Sequence, residues 1–589
     1  MRRSIDNFFT ANTKVIDRAI FYLSMVTSIG ITVNLGSKQS AIFIGYFDIF
    51  IVWIFILLAG FLFVKTLITH LNAKNHTRFA ELLISFYFLL VIAARSFGLA
   101  PGFFSSPNWL YAGIFGIFLI EASKGSLLFD RFYFNPTLLF VVSFLLLILL
   151  GTLLLLLPNA TIGAPLTTID ALFMSTSAVC ITGLSVIDIS VRLSDFGQVV
   201  LLLLIQLGGL GIMTFTGFFG YFFSGGFSYK TQLMYTEILS ENKLASVINN
   251  LLKIIFITFL IEAVGAFFIY LAIDGADFAS EKRRTFFAVF HSISAFCNAG
   301  FSILPDGLHH NSVRFNYTFQ LVVAMLFIVG GLGFGIVLNT FHFIKRWVIN
   351  FYKRLVFKKA FVYKAWVITF NAKLVAWTTF ILLVIGTAGI FILEYDRSLS
   401  EHTGFWGKLA GAFFMGASPR TAGFNSVDMG LLSFPAIMLI MFLMWIGASP
   451  GSTGGGIKTS TFAVGMLNFL SLAKGQDRVE AFGREIGMDS VRRSSAIIFL
   501  SLFALAITVF GLSITDQHKN LIDLALESFS AFSTVGLSLG ITPELSDAGR
   551  IILAISMFVG RVGTLTLLIA FIKKTSFKSY RYPQEKVLF

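Results

Sequence analysis

Charge is scarce in this sequence. Only 13% of its 589 residues are Asp, Glu, Lys or Arg, against about 25% in a water-soluble protein. That excludes an ordinary soluble enzyme of several domains. Cysteine is nearly absent, with two in the whole chain, which excludes a disulfide framework or a cysteine-based metal cluster. Proline, at 11 residues, is too rare for a collagen-like or proline-rich disordered chain. The eight histidines show no metal-ligand spacing, and no Ser/His/Asp or paired-carboxylate arrangement falls inside an apolar run, so an enzyme finds no support. What is abundant is apolar: 56% of residues are hydrophobic, 70 are Phe, and the mean hydropathy is +0.84. The class left is a polytopic helical membrane protein. The net charge of +14 then reads as basic loops on the cytoplasmic side, with no nucleic acid implied.

Apolar runs long enough to span fall near 19–36, 41–65, 79–99, 137–157, 198–223, 249–273, 316–343, 368–393, 432–470 (interrupted), 494–513 and 548–572. A shorter run, Trp109–Ala122, reads as a short or tilted fourth crossing. The start of the chain is too polar for a signal peptide, so the first run is expected to stay. Basic residues orient the chain. Arg2, Arg3, Lys14 and Arg18, then Lys124 and Arg131, then Lys345, Arg346, Lys353, Arg354, Lys358, Lys359 and Lys364, and finally Lys573, Lys574, Lys578 and Arg581 all place their segments, and both termini, in the cytoplasm. Lys282, Arg283 and Arg284 fall on the opposite side and break the rule.

A fourfold internal repeat is the strongest signal. SAVCITGLS (177–185), SAFCNAGFS (294–302), ASPRTAGFN (417–425) and SAFSTVGLS (530–538) align on Gly183, Gly300, Gly423 and Gly536, spaced 113 to 123 residues apart. Ser177, Ser294, Ala417 and Ser530 stand six residues before the glycine. Each stretch closes an apolar segment too short to cross, which is allowed at membrane depth only where it lines a pore or lies within protein. The expected fold is an all-α polytopic membrane protein. Four tandem helix–pore-loop–helix repeats surround a central pore, after about four N-terminal helices. The divisions are 1–132, 133–242, 243–360, 361–488 and 489–589. In this reading Ile181, Thr182 and Gly183, Asn298, Ala299 and Gly300, Thr421, Ala422 and Gly423, and Thr534, Val535 and Gly536 turn backbone carbonyls toward an ion as a selectivity filter, in the way potassium filters work. Asp188, Asp306, Asp428 and Glu544 follow the four loops and are candidates for an acidic external mouth, or else solvated loop carboxylates.

The run at 432–470 is broken by Gly447–Thr459, whose glycines and Pro450 cannot stay helical. Its glycines resemble a phosphate-binding loop, but Ile457 pushes Lys458 one residue out of register, so no ATPase is read. Gly331, Gly333 and Gly335 read as close helix packing. Arg561, Lys458 and Glu262 are intramembrane charges, Arg561 and Lys458 open between pore and structural roles, Glu262 read as a bond between helices. Arg420 reads as a brace for the third loop, and Cys180 and Cys297 as packing behind the filter.

With QLGGLGIMT (206–214), FIVGGLGFG (327–335), GASPGSTGGGIKTST (447–461) and GRVGTLTL (560–567), all read as filter loops, the chain resembles the Trk/Ktr/HKT superfamily of potassium transporters, closest to bacterial Trk- and Ktr-type membrane subunits. The likeness covers roughly 130–575. It implies uptake of a monovalent cation across the plasma membrane (the cell inner membrane), a homodimer, and a cytosolic nucleotide-binding regulatory subunit. Glycine at each filter position implies potassium preference. The resemblance also implies a gate under the filter formed by Gly451, Ser452, Thr453, Gly454, Gly455, Gly456 and Lys458, with Arg561 beside it. No cofactor is expected in the chain. The competing readings are a sodium- or proton-coupled secondary transporter, which usually shows inverted repeats, and a membrane receptor or scaffold, which gives no reason for four matched loops.

Overall fold

Long apolar runs can satisfy their backbone polar groups in lipid only as helices or closed barrels, and here they are helices. The computed structural model describes residues 2–38, 41–71, 79–98, 106–125, 136–211, 247–275, 278, 280–357 and 369–571. Among the described residues the chain opens with four helices: α1 (Arg2–Gly36), α2 (Ala41–Leu71), α3 (Phe79–Ser96) and α4 (Asn108–Gly125). At 18 residues α4 reaches about 27 Å. These helices bury a core of their own around Ile31, Phe55, Leu58, Phe88 and Ile114. Phe55 and Phe88 stack at 4.1 Å. The buried Lys65 meets Asp17 and Glu121, the latter at 3.2 Å. The unit touches the later helices through the Asn159 N–H, which donates to the Gly36 carbonyl at 2.7 Å.

From Pro136 onward one order of elements recurs. A long helix is followed by a shorter one, a glycine loop, and a helix that breaks. The first unit has α5 (Pro136–Leu155), α6 (Thr168–Cys180) and α7 (Asp195–Leu210). The second has α8 (Val247–Ala272), α9 (Glu281–Phe296), α10 (Tyr317–Leu332) and α11 (Phe334–Phe357). The third has α12 (Phe370–Glu394), α13 (Gly404–Ala417), α14 (Phe434–Trp445) and α15 (Thr459–Ala473), then a two-residue hairpin, Glu480–Ala481 with Arg484–Glu485. The fourth has α16 (Met488–Thr515), α17 (Leu521–Ser533), α18 (Asp547–Val562) and α19 (Thr564–Phe571). Among the described residues, five helices (α1, α2, α8, α12 and α16) contain a stretch long and apolar enough to cross a membrane.

The short helices α6, α9, α13 and α17 have 13 to 16 residues, about 20–24 Å, too short to cross. They are the centre of the main core, where Phe173, Phe290, Phe414 and Leu526 are fully buried. Serines bolt two of them to the preceding long helix. Ser175 Oγ donates to the Ile148 carbonyl at 2.7 Å, and Ser292 Oγ to the Glu262 carbonyl at 2.6 Å.

Three expectations need correction. The runs 316–343 and 548–572 are not single helices: each breaks at a glycine of positive φ, Gly333 at 86° and Gly563 at 91°. Likewise α7 stops at Leu210, with Gly211 at 73°. The stretches around these glycines, read with the filter loops, therefore lie at breaks in the departing helices. At Gly333 a Cβ would sit 2.7 Å from the Pro450 carbonyl oxygen, so close backbone approach, more than helix packing, accounts for that glycine. The boundaries at 132, 242 and 360, with Arg131, Lys358, Lys359, Lys364 and the basic tail from Lys573, lie outside the described residues. Two residues that broke the charge rule are answered locally. Arg283 pairs with Asp195, and Arg284 donates to the carbonyls of Tyr270 (3.0 Å) and Ile273 (2.9 Å).

Candidate functional site

Each short helix ends by sending the chain through a left-handed residue. Ile181, Asn298, Thr421 and Thr534 have φ of 58°, 60°, 71° and 50°. Each stands two residues before its loop glycine, and the glycines follow at 92°, 70°, 74° and 97°. Left-handed backbone costs an L residue about 1–2 kcal/mol, and three of these four are β-branched, where the conformation is a genuine outlier. Among the described residues only Asp306 and Phe482 are further non-glycine cases. Four matched strains at four matched positions mark the loops as places where structure is held against local preference.

The loops meet. A Cβ added at Gly183 would lie 2.5 Å from the Ala299 carbonyl oxygen, and one at Gly300 would lie 2.9 Å from that of Ala422. At Gly423 the nearest atom is the Val535 carbonyl oxygen, and at Gly536 it is that of Thr182. The first unit touches the second, the second the third, the third the fourth, and the fourth the first. The ring closes, and only glycine fits its four positions.

Serines fasten the ring to its helices. The N–H groups of Thr182, Ala299 and Val535 donate to the carbonyls of Ser177, Ser294 and Ser530 at 2.7–2.8 Å. Ser177 and Ser294 also donate through Oγ to the Leu184 and Phe301 carbonyls (2.7 and 2.8 Å), while Ser530 Oγ accepts from the Gly536 N–H (2.9 Å). In the third unit Ala417 holds the aligned position but has no hydroxyl. The next residue, Ser418, bonds the Phe424 carbonyl instead. Pro419 follows, and α13 ends at Ala417, six residues before its glycine, where the other short helices end three or four residues before theirs.

Above the ring is a vestibule of about 710 Å³, lined by Asp188, Asp306 and Asp428 with Ser185, Ser302, Asn425 and Ser538. Asp188 and Asp428 also cap short helices, accepting from Ser190 N–H (2.8 Å) and Gly430 N–H (2.9 Å). The fourth acid departs from expectation. Glu544 is not among the lining residues and is ion-paired with Lys519. Lys519 donates to it and its charge adds to the effect, so the Glu544 carboxyl is held below the usual carboxylate range.

Beneath the ring lies the interrupted segment between α14 and α15. The Gly455 N–H donates to Thr534 Oγ1 at 2.9 Å. A Cβ at Gly454 would come within 2.8 Å of Thr421 Cβ. Gly456 packs on Ser533, 3.2 Å from its Cα by the same construction. The loop is tied to the break in the second unit: Ser449 N–H donates to the Gly331 carbonyl, and Phe334 N–H to that of Gly451, both at 3.0 Å. Ser452 folds back on the Ser449 carbonyl, and Thr453 Oγ1 faces the Phe296 carbonyl at 3.5 Å. Lys458 donates to the Gly454 carbonyl. Arg561 bridges two units, donating to the Thr453 carbonyl and to the Gly208 carbonyl at 2.7 Å.

A family model described as TrkH, cation transport protein, matches residues 114–582. The chain belongs to this family. Within it, the Ktr system potassium uptake protein B of Bacillus subtilis is 36% identical over 456 residues, 77% of this chain and 96% of that protein. The potassium/sodium uptake protein NtpJ of Enterococcus hirae is 33% identical over 461 residues, 77% of this chain and 97% of that one. The crystal structure of the potassium transporter TrkH from Vibrio parahaemolyticus shares the fold, with a TM-score of 0.57 at 18% identity over 89% of this chain and 98% of that one. This is therefore a multi-pass membrane protein of the Trk/Ktr family, with α1, α2 and α3 preceding the family match.

Several residues singled out in the sequence of this TrkH-family chain find their partners around the ring. The Asn298 amide donates to the Phe327 carbonyl and accepts from Thr421 Oγ1, both at 3.0 Å, linking the loops of the second and third units. Arg420 turns away from the ring to Thr379, at 3.3 Å from its hydroxyl. Glu262 accepts from Gln206 Nε2 at 3.1 and 3.2 Å, joining α7 and α8. Cys180 and Cys297 are buried free thiols behind the ring. The serine six residues before three of the four glycines is the sequence signal that points at the fastening.

Proposed function

We propose that the chain takes up potassium across the plasma membrane through a channel-like pore. Ions enter from the vestibule between Asp188, Asp306 and Asp428 and shed water at the carbonyls around Gly183, Gly300, Gly423 and Gly536. They then pass the 451–458 loop, which gates the path with Lys458 and Arg561. The observation that carries this is the closed ring of glycines behind four left-handed residues. A ring of backbone oxygens can replace an ion's hydration shell, and the C-terminal ends of four short helices add partial negative charge. The membrane potential supplies about 2.3 kcal/mol per charge per 100 mV, so no hydrolysis is needed. The full reading comprises four tandem repeats around one pore, N-terminal helices ahead of them, both termini in the cytoplasm, a homodimer, and a cytosolic nucleotide-binding regulatory subunit. The relatives' names support potassium. One relative named for potassium and sodium favours a second reading, in which sodium passes as well.

An ion-replacement flux assay on the purified chain in vesicles tests this. Rubidium uptake driven by an inside-negative potential, exceeding sodium uptake and independent of a counter-ion, is expected. Flux locked in fixed ratio to protons or sodium would replace the pore by a coupled transporter. Equal rubidium and sodium flux would leave the pore but remove its preference.

A further inference from the structure

Behind the ring, each short helix grips the outer loop of its own unit across 11 residues. Ser185 Oγ lies 3.3 Å from Met174 Sδ while its proton also faces the Ile187 carbonyl, and the Ser426 N–H donates to Met415 Sδ at 3.4 Å. His291 Nδ1 lies 3.0 Å from the Phe287 carbonyl, which can only accept. The ring proton is therefore on Nδ1, and Nε2 accepts from Ser302 Oγ at 2.9 Å. Ser538 Oγ donates to Glu527. The four acceptors differ in kind: a thioether is weak, an imidazole nitrogen stronger, a carboxylate strongest. The serine turns tighten in the same order. The N–H two residues beyond Ser185, Ser302 and Ser538 lies 3.4, 3.1 and 2.9 Å from the serine oxygen.

Glu527 is fully buried, and among the described residues no basic side chain forms an ion pair with it. Its second oxygen accepts from Thr542 Oγ1 at 3.0 Å. Ser538 and Thr542 both line the vestibule, so a carboxylate stands one side chain behind that wall. Burying a carboxylate with only hydroxyl partners is costly, and such a residue in a membrane protein is by default a functional one.

We propose that Glu527 is a specificity-determining positioning residue: through Ser538 and Thr542 it fixes the outer loop of the fourth unit and draws a monovalent cation to the outer end of the ring. His291 does the same, more weakly and without charge, through Ser302. The proposal rests on the ring being the cation pathway.

The test uses the full chain in vesicles, with rubidium and sodium uptake measured over a range of concentrations. The variants are E527Q (isosteric), E527D, E527M (the residue type the first and third units hold) and H291M. E527Q is expected to raise KM for rubidium and lower the rubidium/sodium preference about tenfold, with little change in maximal rate. E527D restores most of both, E527M is at least as impaired as E527Q, and H291M loses about threefold, half the effect on a free-energy scale. A folded E527Q with wild-type KM and preference overturns the proposal. So does failure of both E527Q and E527M to fold, which would make Glu527 purely structural. A wild-type protein that carries neither ion overturns the pathway reading and this proposal with it. A wild type that carries rubidium beside an unaltered E527Q overturns this proposal alone.

Discussion

Replacing each ring glycine by serine, one at a time, should impair the protein in an order set by the geometry of the ring. Every substitution forces an L side chain to positive φ, at about 1–2 kcal/mol. That alone corresponds to a roughly fivefold to thirtyfold loss of the competent arrangement. The added Cβ then meets a neighbouring carbonyl. At Gly300 the Ala422 oxygen is 2.9 Å away, at Gly183 the Ala299 oxygen is 2.5 Å away, and at Gly536 and Gly423 the approach is closer still. These obstacles are backbone atoms of the next unit and cannot swing aside as a side chain could. Gly300→Ser is therefore expected to keep the most rubidium uptake, Gly183→Ser less, and Gly536→Ser and Gly423→Ser the least. Gly183→Ser should also raise the sodium/rubidium ratio, because a distorted ring loses its fit to the larger ion first. Rubidium and sodium flux into vesicles, with thermal melting to confirm folding, reads both effects. If Gly423→Ser were the mildest of the four, or none of the four changed the ratio, the reasoning from ring contact to selectivity would fail.

Three further outcomes rest on the same geometry. Deleting Ser452–Gly455 should raise basal flux, and Arg561→Gln should do so less strongly, since it removes charged hydrogen bonds to the Thr453 and Gly208 carbonyls worth about 1.5–3 kcal/mol each; unaltered flux in folded variants would show that the loop does not obstruct the path. Converting Asp188, Asp306 and Asp428 together to Asn should raise KM for rubidium, most clearly at low ionic strength, while Glu544→Gln, which is off the vestibule, should leave it unchanged; equal effects would refute the division between them. The Glu544 carboxyl is held below its ordinary value of 4.5 by Lys519, so its contribution to stability is present at neutral pH and is lost as pH falls through the lowered value. Melting curves of wild type and Glu544→Gln should accordingly differ slightly at neutral pH and converge in acid.

Much of the site is legible in the sequence, residue by residue. The aligned glycines and the serines six residues ahead of them are a local pattern, repeated because each short helix must end in the same turn. The break at Gly447–Thr459 is legible for a similar reason: three consecutive glycines after Ser449-Pro450 leave no helical alternative. The breaks at Gly211, Gly333 and Gly563 are not legible. A single glycine in an apolar run is usually tolerated within a helix, and at Gly333 the reason for breaking is the approach of the 450–452 backbone, more than a hundred residues away. Ser418 escapes notice because alignment on the glycine points to Ala417, and only the early stop of α13 before Pro419 brings the next hydroxyl into place. Glu544 groups with three aspartates by its position after the loop, but a lysine 25 residues earlier claims it.

By itself the sequence determined that the chain is built of apolar helices, that four short segments recur among them, and that each ends in a glycine turn. These properties arise from composition, periodicity and backbone preference, which act over a few residues. Tertiary structure alone decided that the four turns close on one another in chain order, that a loop of the third unit lies beneath them under the hold of Arg561 from the fourth, and that Met174, His291, Met415 and Glu527 stand behind their outer edge. Each of these is a contact between segments whose meeting depends on how whole helices pack.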